Sequence, residues 1–292
     1  MKTAVVGANG QLGSDVVLAL NKADCETIAL THQDIELSDV QSVATAIRTI
    51  RPDLVVNTAA MHNVEKCESD PERAYLVNAI GARNLAIVTR DEGAALLHIS
   101  TDYVFDGTKK TPYVEGDDPL PLNVYGNTKL AGECYVRTIN PKHFVLRTSA
   151  LYGTKPCRAK GGLNFVDMML KLAGEKREVR VVDSERVTPT ATEELATQIA
   201  ALSKTDAYGL YHATAEGSCS WYEFAGEIFV VAGVEAKLSV ASPNEFPAKV
   251  ARPRCSVLEN AALKRKGLNC FSPWQSGLRR YLKQVGSPLV AV

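Results

Sequence analysis

Seven cysteines, at positions 25, 67, 134, 157, 219, 255 and 270, are odd in number and form no Cys-x-x-Cys pair. Such scatter builds neither a disulfide framework nor a zinc knuckle, and reduced thiols are the simpler reading. Long apolar runs are also missing: none approaches the roughly 20 residues that a membrane helix needs. Charge of one sign is never in excess, with 33 Lys+Arg against 33 Asp+Glu. A balanced chain has no electrostatic reason to bind nucleic acid or an anionic membrane, so neither is expected as a partner. The histidines lack metal-ligand spacing; His98, His143 and His212 read as structural, while His62 can line a pocket. Repeats and low-complexity tracts are absent. The first residues run straight into an apolar segment, leaving no room for a targeting peptide, and a cytoplasmic protein is expected. What remains is ordinary for a globular chain: 46% hydrophobic and 23% charged over 292 residues, enough for a large core and a smaller lobe.

The first half alternates short apolar runs with helical patterns. Segments 3–6, 27–30, 54–57, 94–99 and 144–146 are rich in Val, Leu and Ile without strict alternation. Strands of that kind are buried on both faces of a parallel sheet. Helical patterns at 11–20, 40–50 and 71–90 separate them, with Ser38 as N-cap of the second and Asp70-Pro71 opening the third. The order is that of an α/β, Rossmann-type doubly wound sheet. Residues 107–124 are irregular and proline-rich, and a loop of that length in a compact domain is usually functional. Later segments are mixed: helices at 164–173 and 221–231, strands at 179–182 and 209–212. We expect a dinucleotide-binding domain over 1–150 plus parts of 175–215, and a smaller discontinuous substrate lobe over most of 151–292.

Gly7, Gly10 and Gly13 fall between the first strand and the first helix, the setting in which a glycine turn cradles a pyrophosphate. The second strand ends at Thr31 and His32 with no carboxylate before Asp34. A carboxylate there would hold a ribose 2′-hydroxyl; its absence favours a 2′-phosphate and NADPH, with NADH as the alternative. Further on, Tyr125 and Lys129 stand four residues apart, on one helical face. Thr101 closes an apolar run before them. A cradle, a hydroxyl and Tyr-x-x-x-Lys, in that order, suit hydride transfer to a carbonyl: Tyr125 as proton donor, Lys129 as the nearby charge and Thr101 as the group polarising the oxygen.

Over nearly its whole length the chain resembles extended short-chain reductases of the dTDP-4-dehydrorhamnose reductase type. The resemblance rests on Asn57-Thr-Ala-Ala60, Val77-Asn78-Ala79, the run Ser100-Thr-Asp-Tyr-Val-Phe-Asp-Gly107, Tyr125-Gly126, Arg147-Thr148-Ser149, Thr188-Pro-Thr190 and Arg252-Pro253. It implies a catalytic set of Thr101, Tyr125 and Lys129. Gly7, Gly10, Gln11, Leu12 and Gly13 would meet the pyrophosphate, Glu36 and Leu37 would flank the adenine, and Ala59, Ala60 and Met61 would line the way to the nicotinamide. Val64, Tyr103, Ala150, Asn164 and Arg252 would face a nucleotide-sugar substrate. Related dehydratases carry Glu where this chain has Tyr103, which favours plain reduction over epimerase or dehydratase chemistry. A regulatory protein similar to the non-catalytic β-subunit of methionine adenosyltransferase is the other alternative. Two departures bear on substrate: the family commonly has Trp at the position of Ala150, and segment 154–162 is long and basic, with Lys155, Arg158 and Lys160 as candidates to meet a diphosphate. Some relatives dimerise through Mg²⁺, for which Asp15 and Glu193 or Glu194 are the candidate ligands, so a monomer or homodimer is expected.

Overall fold

The computed structural model describes residues 1–157, 161–175, 178–242, 245 and 249–286. Its first half runs β1 (Lys2–Val6), α1 (Gln11–Lys22), β2 (Glu26–Leu30), α2 (Val40–Ile50), β3 (Leu54–Asn57), α3 (Val64–Ser69), α4 (Pro71–Tyr75), a π turn (Leu76–Ile80) and α5 (Gly81–Asp91). Then come β4 (Ala95–Thr101), a 3₁₀ turn (Asp102–Val104), α6 (Val124–Ile139) and β5 (His143–Thr148). The second half adds β6 (Leu151–Tyr152), α7 (Phe165–Gly174), β7 (Val179–Val181), β8 (Arg186–Val187), β9 (Thr190–Ala191), α8 (Thr192–Leu202) and β10 (Gly209–His212). It ends with β11 (Cys219–Ser220), α9 (Trp221–Ala232), β12 (Leu238–Val240), α10 (Ala261–Arg265) and α11 (Trp274–Gln284).

Six parallel strands form the central sheet in the order β10-β5-β4-β3-β1-β2. Strand order turns around between β1 and β3, and the carboxyl ends beside that point are the usual ligand position in such sheets. Alternate residues of β4 feed opposite faces. Leu97 packs with Leu12 and Val16 of α1 and Ile199 of α8, and Leu96 packs with Ala82 and Leu85 of α5 and Val136 of α6. A second core gathers Tyr152, Val166, Phe224, Trp274 and Leu278 from the later elements. The strand at 209–212 belongs to the edge of the main sheet, beside β5.

Two local expectations change. Asp39, not Ser38, caps α2, accepting from Gln41 N at 2.9 Å. Ser38 is taken by Glu36, to which it donates both its N–H and its hydroxyl. The helix read as continuous over 71–90 contains the π turn Leu76–Ile80, whose extra residue re-aims Asn78.

Candidate active site

β1 ends at Val6, and Gly7 turns the chain with φ +79°. A Cβ there would lie 2.9 Å from Thr58 Oγ1 and 3.0 Å from Ala59 N, so glycine lets the ends of β1 and β3 meet. Thr58 fixes the junction by donating its hydroxyl to Val6 O at 2.8 Å. At Gly13 a Cβ would fall 2.2 Å from Gly7 O, so α1 sits directly on the turn. Gly10 begins α1 and no side chain caps it. The first-turn N–H groups at Gln11 and Leu12 therefore face outward with the partial positive charge of the helix, as an anion requires. A pyrophosphate fits this cradle, which larger residues would fill. The side chain of Gln11 turns elsewhere, donating to Gly153 O at 3.2 Å and Lys155 O at 3.1 Å.

At the end of β2, Thr31 spends its N–H and its hydroxyl on Asp34 Oδ2, both at 2.8 Å. Those bonds hold the Asp34 carboxyl below its ordinary range. Bonds from Ser38 do the same for Glu36, with His32 3.4 Å from its second oxygen adding to the effect. His32 alone of the expected pair is left outward, its side chain 78% exposed. Leu37 is buried beside Gly81.

Between β3 and α3 the chain passes Ala59, Ala60 and Met61. Asn78, aimed by the π turn, accepts from Met61 N at 2.8 Å and donates to Met61 O at 2.9 Å and to Thr128 Oγ1 at 3.0 Å. One buried amide thus joins the loop after β3 to α6. The sequence quotes Asn78 only as part of a motif, because nothing in local propensity encodes the π turn.

Tyr125 meets Thr101, and Lys129 follows one turn further along the same helix. Asn123 caps α6, accepting from Gly126 N at 2.9 Å. A Cβ on Gly126 would fall 2.2 Å from Tyr103 O, so the helix start lies against the 3₁₀ turn that follows Thr101. Tyr125 is half-buried, with its ring edge-on to Tyr103 at 6.0 Å between centroids. Burial pushes its phenol up from the ordinary value, while the Thr101 hydroxyl, hydrogen-bonded to the phenol oxygen, pulls the other way. Burial outweighs that bond, so the phenol is not brought toward neutrality. Lys129 is 2% exposed, and burial lowers its pKa to about 8 against the pull of Glu133. Its amine sits 3.4 Å from His98 Nε2. Thr101 donates to Asp102 Oδ1 at 3.0 Å, and Ser149 donates to Asp102 Oδ2 at 2.8 Å, which fixes the hydroxyl's place.

On the expected substrate side, Arg252 pairs with Glu65 Oε1 at 2.5 Å and senses Tyr103. Asn123 brings this segment to α6 by donating to Ala251 O at 2.9 Å. Val64 opens α3 next to Glu65 and is partly exposed. Asn164 does not join them. It caps α7, accepting from Asp167 N at 3.0 Å, and donates to Gly153 O at 3.1 Å and Tyr281 Oη at 2.9 Å. With its amide used up and the residue buried, it serves the scaffold instead of a ligand; the Asn-x-x-Asp spacing of a capping box was the available signal. Ala150 takes a left-handed φ of +45° at the corner between β5 and β6. His62 lies beside Cys157, with Sγ 3.6 Å from Nε2. Arg158 and Lys160 fall outside the described residues.

The candidate Mg²⁺ carboxylates have other partners. Asp15 accepts from Thr192 Oγ1 at 2.5 Å, Glu193 accepts from Gln284 at 2.7 Å, and Glu194 is held by Arg280 and Ser272. Among the described residues no group of three or more His, Cys, Asp or Glu side chains converges as a metal site.

Residues 1–287 match the family model described as the RmlD substrate binding domain. The spore coat polysaccharide biosynthesis protein SpsK of Bacillus subtilis is 40% identical over 98% of both chains. The dTDP-4-dehydrorhamnose reductase of Escherichia coli K12 is 36% identical, again with 98% of each chain covered. The dTDP-4-dehydrorhamnose reductase of Bacillus anthracis, solved in complex with NADP, superposes with a TM-score of 0.92 at 36% identity over 97% of this chain and 99% of that one. With the cradle and the Thr101–Tyr125–Lys129 cluster in the positions described, the chain belongs to the dTDP-4-dehydrorhamnose reductase family.

Proposed function

We propose that this protein is an NADPH-dependent reductase of a nucleotide-linked 4-keto-6-deoxyhexose, converting dTDP-4-dehydro-L-rhamnose to dTDP-L-rhamnose. The observation that carries the reading is the meeting of the Tyr125 phenol and the Thr101 hydroxyl at the carboxyl end of β4, on the same edge of the sheet as the α1 cradle. The α1 N-terminus holds the pyrophosphate, His32 takes the 2′-phosphate, and Met61, clamped by Asn78, shapes the path to the nicotinamide. The cofactor, once bound, supplies the hydride.

The chain's own groups do the rest. The Thr101 hydroxyl turns its one proton from Asp102 to the substrate carbonyl oxygen and fixes that oxygen's direction. Tyr125 gives that oxygen the proton as negative charge develops there, and Lys129 holds positive charge close by, which favours the phenolate left behind. Tyr103 in place of a carboxylate leaves no second acid–base pair, so elimination of water is not served. A regulatory role would need the cradle but not the triad, and the triad is intact. Purified protein with NADPH and dTDP-4-dehydro-L-rhamnose should consume the reduced cofactor's absorbance. Tyr125→Phe should lower kcat by about 10²-fold or more while cofactor affinity holds. Near-normal turnover in that variant removes Tyr125 from the mechanism.

A further inference from the structure

We propose that Lys129, His98, Asn57 and the Ala59 N–H form one buried, proton-linked chain with two settings, which couples the charge on Lys129 to the loop that leads toward the nicotinamide. His98 is then a positioning residue of the reaction proposed above, not inert core.

The links are short and their polarity is determined. Asn57 Oδ1 accepts from Ala59 N at 3.1 Å. A backbone N–H can only donate, so the oxygen of Asn57 must be the atom facing it, and its NH₂ faces His98 Nδ1 at 3.1 Å. Nδ1 is thereby an acceptor, and a neutral imidazole carries its proton on Nε2. That nitrogen stands 3.4 Å from Lys129 Nζ. An Nε2–H suits a neutral amine, whose lone pair accepts it, and opposes an ammonium, which has only donors. Charging Lys129 reverses the chain. The ammonium donates to Nε2, the imidazole proton moves to Nδ1, and Asn57 must turn its oxygen to Nδ1. Ala59 then loses its acceptor. One proton separates the settings, exchanged with solvent, and His98 carries a single proton in both.

Burial and the nearby Lys129 hold the imidazolium form of His98 far from neutral pH, so only its tautomer changes. Lys129, with its pKa near 8, passes between settings in an accessible range. The other titratable groups facing Lys129 are Glu133 in α6 and Cys67 in α3. Burial raises the Cys67 thiol to about 11, so it stays protonated through the change. The site is built for a ring at position 98: a Cβ on Gly132 would lie 3.3 Å from His98 Nε2. Coupling is reciprocal, so a cofactor that fixes the Ala59 loop in one setting shifts the proton affinity of Lys129 in the same sense.

Proton–nitrogen correlation spectra of the whole protein, labelled at histidine and assigned with a His98→Phe variant, read the tautomer without any turnover. We expect the His98 proton on Nδ1 below the Lys129 titration and on Nε2 above it, with the ring neutral throughout. A single tautomer across the range, or an imidazolium at neutral pH, overturns the proposal even if the protein reduces its sugar. The spectra are equally decisive if no sugar is turned over. Asn57→Asp, which still accepts from Ala59 but offers His98 only an acceptor, should hold the proton on Nδ1. The alkaline limb of kcat/KM should then rise by about one pH unit, the scale of one charge-assisted hydrogen bond. A limb that stays in place in a folded Asn57→Asp variant refutes the coupling.

Discussion

Replacing Glu133 by Gln tests the reading of the region beneath the active site most sharply. The Glu133 and Arg147 side chains are 0% and 2% exposed, and they meet in three hydrogen bonds: Nε to Oε1 at 2.9 Å, Nε to Oε2 at 3.1 Å and Nη2 to Oε2 at 2.7 Å. Ser100 adds its hydroxyl to Oε1, and the guanidinium lies 5.1 Å from the Phe105 ring centre. Gln keeps the shape but strips the negative charge, leaving a guanidinium buried without its counter-ion. Breaking such a pair from one side costs about 3–5 kcal/mol, a large share of the roughly 5–15 kcal/mol that holds a domain folded. In urea, the unfolding midpoint should fall with little change in slope. A second readout follows from the same charge. Glu133 favours the Lys129 ammonium, so its removal should drive the Lys129 pKa below about 8 and move the alkaline limb of activity to lower pH. The folded pKa of Lys129 lies below its ordinary 10.5. The unfolded chain therefore holds the extra proton between about 8 and 10.5, and stability should rise with pH across that window. The paired variant Glu133→Leu with Arg147→Met should recover most of the loss. A deficit under about 1 kcal/mol for Glu133→Gln, or a pair no better than either single change, would refute the reasoning.

Three further outcomes are expected. Gly13→Ala sets a Cβ 2.2 Å from Gly7 O, and since both partners are backbone, α1 must lift off the turn; NADPH affinity, followed by cofactor fluorescence, should drop by about 10-fold or more. Ala150→Gly relieves a left-handed backbone at φ +45° and should stabilise the protein by roughly 0.5–1 kcal/mol in thermal or urea unfolding, with no gain arguing against strain at that corner. His32→Asp places negative charge where a 2′-phosphate is proposed, and the NADPH/NADH ratio of kcat/KM should fall by about 10-fold; an unchanged ratio takes the end of β2 out of cofactor choice.

The parallel strands and the glycine cradle were legible because they depend on local signals: unbroken Val, Leu and Ile runs, and glycines where a Cβ meets Thr58 or Gly7. Tyr125 and Lys129 were legible because one helix carries both. What escaped depends on partners distant in sequence. Asn78 owes its aim to an extra residue in a helical turn, and nothing in the composition of 76–80 announces it. Glu133 finds Ser100 on β4 and Arg147 on β5, a meeting fixed by the register Ser100↔Arg147. His98 looked like a core histidine, and its neighbours Asn57 and Lys129 come from another strand and another helix. Asn164 was legible as a helix cap from its own spacing to Asp167, and the family resemblance pointed away from that simpler answer.

Gln11 has a consequence for how this scaffold can be rebuilt. Its amide grips the carbonyls of Gly153 and Lys155, and Gly153 O also receives Asn164. A Cβ at 153 would fall 1.9 Å from Thr192 Oγ1, so the crossing admits no larger residue. The turn proposed to hold the nucleotide and the segment expected on the sugar side are thus stapled together by main-chain oxygens. Loop exchange with a relative cannot treat the two as separate cassettes. A transplanted 153–162 segment must present carbonyls at the same two points or slacken the start of α1. Altered sugar selectivity engineered through that segment would then surface as weakened cofactor affinity, a cross-talk that screens on sugar turnover alone would misattribute to the pocket.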